Sequence, residues 1–126
     1  MVLEELIQFV MDTNIVLYLL GDRLVDPMPK GHYSVSVVTE MEILSYPNLA
    51  DAEEQQIRDL LSKLEVIGLT DTVKERAIDL RKQHNLKLPD AIIAATALAS
   101  DAVLMTNDTQ LLKLAQPKAQ AVRLMS

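Results

Sequence analysis

The chain has 126 residues, of which 49% are hydrophobic and 24% charged, the size and balance of one globular domain rather than a disordered segment. There is no Cys or Trp and aromatics make up 3%, which excludes disulfides, thiolate metal sites and Cys nucleophiles and argues against RNA readout by rows of stacking aromatics. The 12 basic and 18 acidic residues leave a formal charge of −6, a poor starting point for a nucleic-acid binder unless bound cations compensate the acids.

In chain order, Leu6 to Met11 reads as a buried strand. Asn14 to Leu20 reads as a helix closed by Gly21. Asp22 to Gly31, with Pro27 and Pro29, is a loop. Tyr33 to Val37 forms a second strand, and Thr39 to Tyr46 a helix stopped by Pro47. Asp51 opens another helix with Glu54 as its capping-box partner. The apolar stripe of that helix is Ile57, Leu60, Leu61 and Leu64, spaced i, i+3, i+4, i+7. Glu65 to Leu69 is a third strand, followed by a helix from Asp71 to His84. The next helix starts at Pro89, a favoured first-turn residue, and packs through Ala91, Ala94, Ala95 and Leu98. Ala102 to Met105 is a fourth strand, Asp108 to Ala115 the last long helix, and Ala121 to Leu124 a candidate fifth strand. Strands separated by helices predict βαβ crossovers: a three-layer α/β/α fold around a parallel sheet of four to five strands, one domain over residues 1–126.

Several function classes fall away. Gly21, Gly31 and Gly68 are too far apart for a Walker or dinucleotide-binding glycine loop, and no G-x-S-x-G elbow is present. No apolar run approaches the roughly 18 residues of a membrane span. Glu4 and Glu5 stand where a signal peptide would carry basic residues. The expected location is the cytoplasm.

In open parallel sheets, ligands bind beyond the carboxyl ends of the strands. Asp12 follows the first strand, Glu42 lies one turn into the helix after the second, Asp90 is in the first turn of the Pro89 helix, and Asp108 lies just past the fourth strand. Each has an ordinary explanation: Asp12 and Asp108 as helix caps, Asp90 as a partner of the helix dipole, Glu42 as a solvated side chain. Together they converge on one edge, and converging carboxylates do not all ionise without a cation. Oxygen-only ligands suit Mg²⁺ or Mn²⁺ rather than Zn²⁺. Glu40 competes with Glu42, but residues two apart on a helix point about 200° apart. Glu42 is preferred because it shares a face with Val38 and Ser45.

Four segments carry a resemblance: M-D-T-N at 11–14, V-T-E-M-E-I-L at 38–44, L-P-D-A-I-I-A-A-T-A-L at 88–98 and L-M-T-N-D at 104–108. They are similar, in order and over nearly the whole chain, to the acidic motifs of PIN domains, and above all to VapC-like toxins of prokaryotic toxin–antitoxin pairs. The resemblance implies an Mg²⁺- or Mn²⁺-dependent ribonuclease. Asp12, Glu42, Asp90 and Asp108 would be its metal-binding catalytic quartet, with Asn14 and Thr106 as polar neighbours. It also implies an RNA substrate, an antitoxin partner and a homodimer.

Lys74, Arg76, Arg81, Lys82 and Lys87 lead into Asp90, with Glu75 and Asp79 among them. They form either a solvated helix face or a phosphate-holding rim, with Lys74, Arg81 and Lys87 as candidate RNA contacts. Two divalent ions would move the charge from −6 to −2, so acidity does not exclude RNA. His32 and His84 are expected at the surface, with no placement suggesting 2′-hydroxyl chemistry. Three other classes compete. An aspartate-nucleophile phosphotransferase wants D-x-D-x-[TV], but Asn14 replaces its second Asp and the Lys that class carries before its last acidic motif has no obvious counterpart. A phospho-receiver lacks its own Asp and Lys at the corresponding strand ends. A non-catalytic interaction module explains the fold but not four intact carboxylates.

Overall fold

The computed structural model describes residues 6–126; Glu4 and Glu5 lie outside them. The elements in order are β1 (Gln8–Met11), α1 (Thr13–Leu20), β2 (His32–Ser36), α2 (Val37–Leu44), α3 (Asp51–Leu61), β3 (Glu65–Ile67), α4 (Asp71–His84), α5 (Leu88–Ala99), β4 (Val103–Met105), α6 (Thr109–Leu112) and β5 (Ala119–Gln120). Among the described residues, five strands form one sheet in the order β3-β2-β1-β4-β5. All pairings are parallel, with Phe9 opposite Tyr33 and Val103, and Met11 opposite Met105.

Side chains alternate across the sheet, and that alternation splits the core in two. Val10 and Leu104 face one way, against Val73, Ala77 and Leu80 of α4 and the small residues of α5. Phe9, Met11, Val35 and Met105 face the other way, against Ile15 and Val16 of α1, Ile43 of α2, and Ile57 and Leu61 of α3. Residues 91–97 of α5 are all buried, as expected for a helix apolar around its circumference. Its alanines let α4 and the sheet approach closely.

The elements agree with the periodicity, and their ends shift for local reasons. At the start of α3 only half of a capping box forms: Glu53 Oε1 accepts from the amide of the N-cap residue Ala50 at 3.1 Å, and the Ala50 side chain has no acceptor to return. Asp51 is therefore already inside the helix, and Glu54 instead pairs with Arg58 one turn on. α6 is a single turn that starts at Thr109, because Asp108 caps it. The fifth strand is Ala119–Gln120 rather than 121–124, and Leu124 makes an antiparallel bridge with Leu24. Gly31 is required by close approach: a Cβ there would lie 2.5 Å from the Ile7 carbonyl oxygen and 2.7 Å from the Phe9 ring. Among the described residues, no helix is long and apolar enough to cross a membrane.

β1 is the centre of the sheet. The chain builds outward from it to β2 and β3, then crosses to its other side for β4 and β5. The strand order therefore reverses between β1 and β4. That reversal opens a crevice at their carboxyl ends, the usual ligand position in such sheets.

Candidate active site

Asp12 leaves β1 at that crevice. Its amide donates to the Met105 carbonyl at 2.9 Å, which ties it to the end of β4. Its side chain is buried, and both oxygens accept hydrogen bonds. Oδ1 takes the Thr13 amide at 2.7 Å, and Oδ2 takes the Thr106 hydroxyl at 2.7 Å. Thr106, fully buried, also accepts from the Asp108 amide at 3.0 Å. One hydroxyl thus couples the turn after β4 to the carboxylate after β1. Asp12 sits at the cap position of α1, but it bonds the next residue's amide rather than those of the second and third helical residues.

Asp108 does cap its helix: Oδ1 accepts from the Gln110 and Leu111 amides at 2.8 and 3.1 Å. Its ordinary reading and its place in the cluster coexist, since the cap uses one oxygen. Asp90 lies in the first turn of α5 and is half-buried. Glu42 projects from α2, and its Oε1 accepts the Thr13 hydroxyl at 2.7 Å.

These four carboxylates act on one another. Burial pushes the Asp12 carboxyl above its ordinary value, hydrogen bonds from Thr106 and Thr13 pull it down, and the charges of Asp108 and Glu42 raise it again. Burial raises Asp90 too, the charges of Asp12, Asp108 and Glu42 add to that, and Lys87 opposes them. Of the two α2 carboxylates, Glu42 is the one that bonds Thr13 beside Asp12.

The other candidates are placed less centrally. Asn14 is exposed, and its side chain makes no hydrogen bond to the cluster among the described residues. Lys87 is the basic residue whose charge reaches Asp90. Lys74 pairs at 3.5 Å with exposed Asp71. Arg81 Nε donates to the Leu86 carbonyl at 3.2 Å and so clips the α4–α5 turn. Lys74, Arg81 and Lys82 rim a cavity of about 330 Å³ floored by Ala77, Ile78, Leu88 and Ile92. His32 is exposed and lies 3.5 Å from Glu65; His84, at the end of α4, is exposed as well. Two residues not singled out by spacing, Thr13 and Thr39, belong to the site's hydrogen-bond network. The i, i+3 relation of Thr39 to Glu42 was the available signal for the second.

The donor set is all oxygen, which suits a hard divalent cation. Among the described residues, no three acidic or His side chains close a cage by themselves.

The sequence pattern of the PIN domain family matches residues 9–117. The chain belongs to the PIN domain family. All four acidic residues fall within the matched segment of this PIN domain. A chain of a toxin–antitoxin complex from Klebsiella pneumoniae is 31% identical, with 89% of this chain and 95% of that one covered at a TM-score of 0.74. A chain of VapBC2 from Rickettsia felis, solved with promoter DNA, is 18% identical, with coverages of 93% and 100% and a TM-score of 0.78. One of VapBC-1 from nontypeable Haemophilus influenzae is 21% identical, with coverages of 91% and 98% and a TM-score of 0.69. At 18% and 21% identity the likeness concerns the fold. No curated protein matches the sequence.

Proposed function

We propose that this PIN domain is a divalent-metal-dependent endoribonuclease, and the toxin of a toxin–antitoxin pair. The observation that carries this reading is the gathering of Asp12, Glu42, Asp90 and Asp108 at the crevice between β1 and β4, where Thr13 links Asp12 to Glu42 and Thr106 links Asp12 to the turn holding Asp108, and where burial and acidic neighbours raise the Asp12 and Asp90 carboxyls. The helix cap made by Asp108 and the Thr13 bond of Glu42 explain those two side chains one at a time; a bound cation explains why all four carboxylates meet at one crevice. Asp12 and Asp90, both raised by burial and by their acidic neighbours, would be the principal ligands for Mg²⁺ or Mn²⁺, with Asp108 and Glu42 completing the set.

When bound, such a cation polarises a phosphoryl oxygen and makes water more acidic. The chain's own residues do the rest. Thr106 and the Thr13 amide hold Asp12 in one orientation. Asp108 keeps one oxygen free of its helix cap. Lys87 offers positive charge beside Asp90 for the RNA backbone. His32 lies against Glu65, and neither His hydrogen-bonds to the cluster among the described residues, so the nucleophile is assigned to water rather than to the ribose 2′-hydroxyl. Hydrolysis leaves a 5′-phosphate and a 3′-hydroxyl.

The likeness to chains of toxin–antitoxin complexes supports an antitoxin as partner. A basic side chain on it would suit the acidic crevice. The test is cleavage of RNA with and without Mg²⁺, by the wild type and Asp12→Asn, with the ends of the products mapped. Cleavage that needs Mg²⁺, vanishes in Asp12→Asn and survives a 2′-deoxy sugar at the cut position supports the reading. Full activity of Asp12→Asn, or cyclic phosphate ends, overturns it.

A further inference from the structure

Thr39 lies in the first turn of α2, fully buried, and Thr13 is the first residue of α1. Their hydroxyl oxygens are 3.0 Å apart, and Thr13 Oγ1 is 2.7 Å from Glu42 Oε1. A hydroxyl carries one proton, and an ionised carboxylate carries none. The proton of Thr13 is therefore committed to Glu42. The contact between the threonines can then run only one way, with Thr39 donating and Thr13 accepting. The chain is Thr39 to Thr13 to Glu42, with a fixed direction.

The other fully buried helical threonine behaves differently. Thr96 Oγ1 donates to the Ile92 carbonyl one turn back in its own helix, at 2.8 Å. That is the ordinary outlet for a helical threonine. Thr39 bonds across to α1 instead. Glu42 lies three residues after it on the same helix, so both project toward the start of α1. Thr13 is placed to serve two carboxylates: its amide holds Asp12 and its hydroxyl holds Glu42.

We infer that Thr39 is a positioning residue that sets the orientation of Glu42 at the carboxylate cluster by orienting the Thr13 hydroxyl. Its consequence for cation binding rests on the proposed function. Its consequence for Glu42 does not.

The experiment uses Thr39→Val, which keeps the shape and removes the donor, and Thr39→Ser, which keeps the donor. In metal-free protein carrying ¹³C-labelled glutamate, the Glu42 side-chain carboxyl resonance is assigned with Glu42→Gln. It shifts in Thr39→Val and returns in Thr39→Ser. By calorimetry, Thr39→Val weakens Mn²⁺ binding by about tenfold, the low end for residues that orient ligands. In a Glu42→Gln background the same substitution changes Mn²⁺ affinity no further, because coupled residues do not add. RNA cleavage loses kcat while KM is held. A Glu42 resonance unmoved by Thr39→Val, or a loss of Mn²⁺ affinity that simply adds to that of Glu42→Gln, overturns the inference. If Thr39→Val does not fold, Thr39→Ala removes the same donor without adding a methyl in its place and is read in the same way. A wild type that binds no Mn²⁺ refutes the reading of the site, and the resonance alone then decides the role of Thr39.

Discussion

Replacing Thr106 by Val removes one hydroxyl and two hydrogen bonds. One runs from Thr106 to Asp12 Oδ2 at 2.7 Å, and the other from the Asp108 amide to Thr106 at 3.0 Å. The first is a bond to a carboxylate, worth about 1.5–3 kcal/mol, and the second adds roughly 1 kcal/mol, for a total of ~2.5–4 kcal/mol in a site with no exposure to compensate. In a domain of this size each kcal/mol moves Tm by about 4 °C, so the metal-free variant should melt ~10–16 °C lower at neutral pH. Thr106→Ser keeps both bonds and loses a buried methyl, worth about 1 kcal/mol. The effect also depends on pH, with a definite sign. Asp12 has a folded-state pKa above its unfolded one, mainly through burial. Its contribution to stability is therefore complete below the unfolded value and lost as pH rises through the folded value. The Thr106 bond favours the ionised form, so removing it raises the folded value further. The variant should then gain more than the wild type as pH falls, and the two melting curves should converge in acid. Thermal unfolding followed by circular dichroism in a chelator, from neutral pH downward, checks this. A deficit that stays constant across the titration, or no deficit at all, would refute the claim that Thr106 acts through the Asp12 charge.

Saturating Mn²⁺ at 100 times its Kd should stabilise the wild type by about 2.7 kcal/mol, and Asp90→Asn should abolish most of that gain; an equal gain in the mutant places the cation elsewhere. The triple substitution Lys74→Ala, Arg81→Ala, Lys87→Ala should flatten the salt dependence of RNA binding by roughly 0.7 per lost phosphate contact on a log–log plot. An unchanged slope would leave Lys74 and Arg81 as solvated residues around the apolar cavity. Gly31→Ala should cost about 1–3 kcal/mol through overpacking against Phe9, read as a lower Tm with cleavage intact once folded; an unchanged Tm would show that β1 and its loop yield without strain.

Four acidic motifs in chain order, spaced by alternating strand and helix patterns, were legible without coordinates. Short apolar runs marked the strands, the i, i+3, i+4 stripe the apolar face of α3, and Pro89 the first turn of α5, which begins one residue earlier at Leu88. Those are local properties, written into neighbouring residues. Ends were less legible: the α3 box chose Glu53 over Glu54, and α6 stopped after one turn, because caps depend on backbone angles that several nearby residues could satisfy. Only the tertiary structure decided which polar groups meet. Asp12 and Thr106 are 94 positions apart, and Thr13 and Thr39 are 26 apart. No periodicity connects such pairs; the parallel register of β1 with β4 and the packing of α1 on α2 do. The same tertiary arrangement separates residues that sequence placed together, leaving Asn14 in solvent while its neighbour Thr13 holds two carboxylates. A side chain's chemistry can be read from its letter, but the hydrogen bonds that orient it are made by whichever strand end the fold brings alongside.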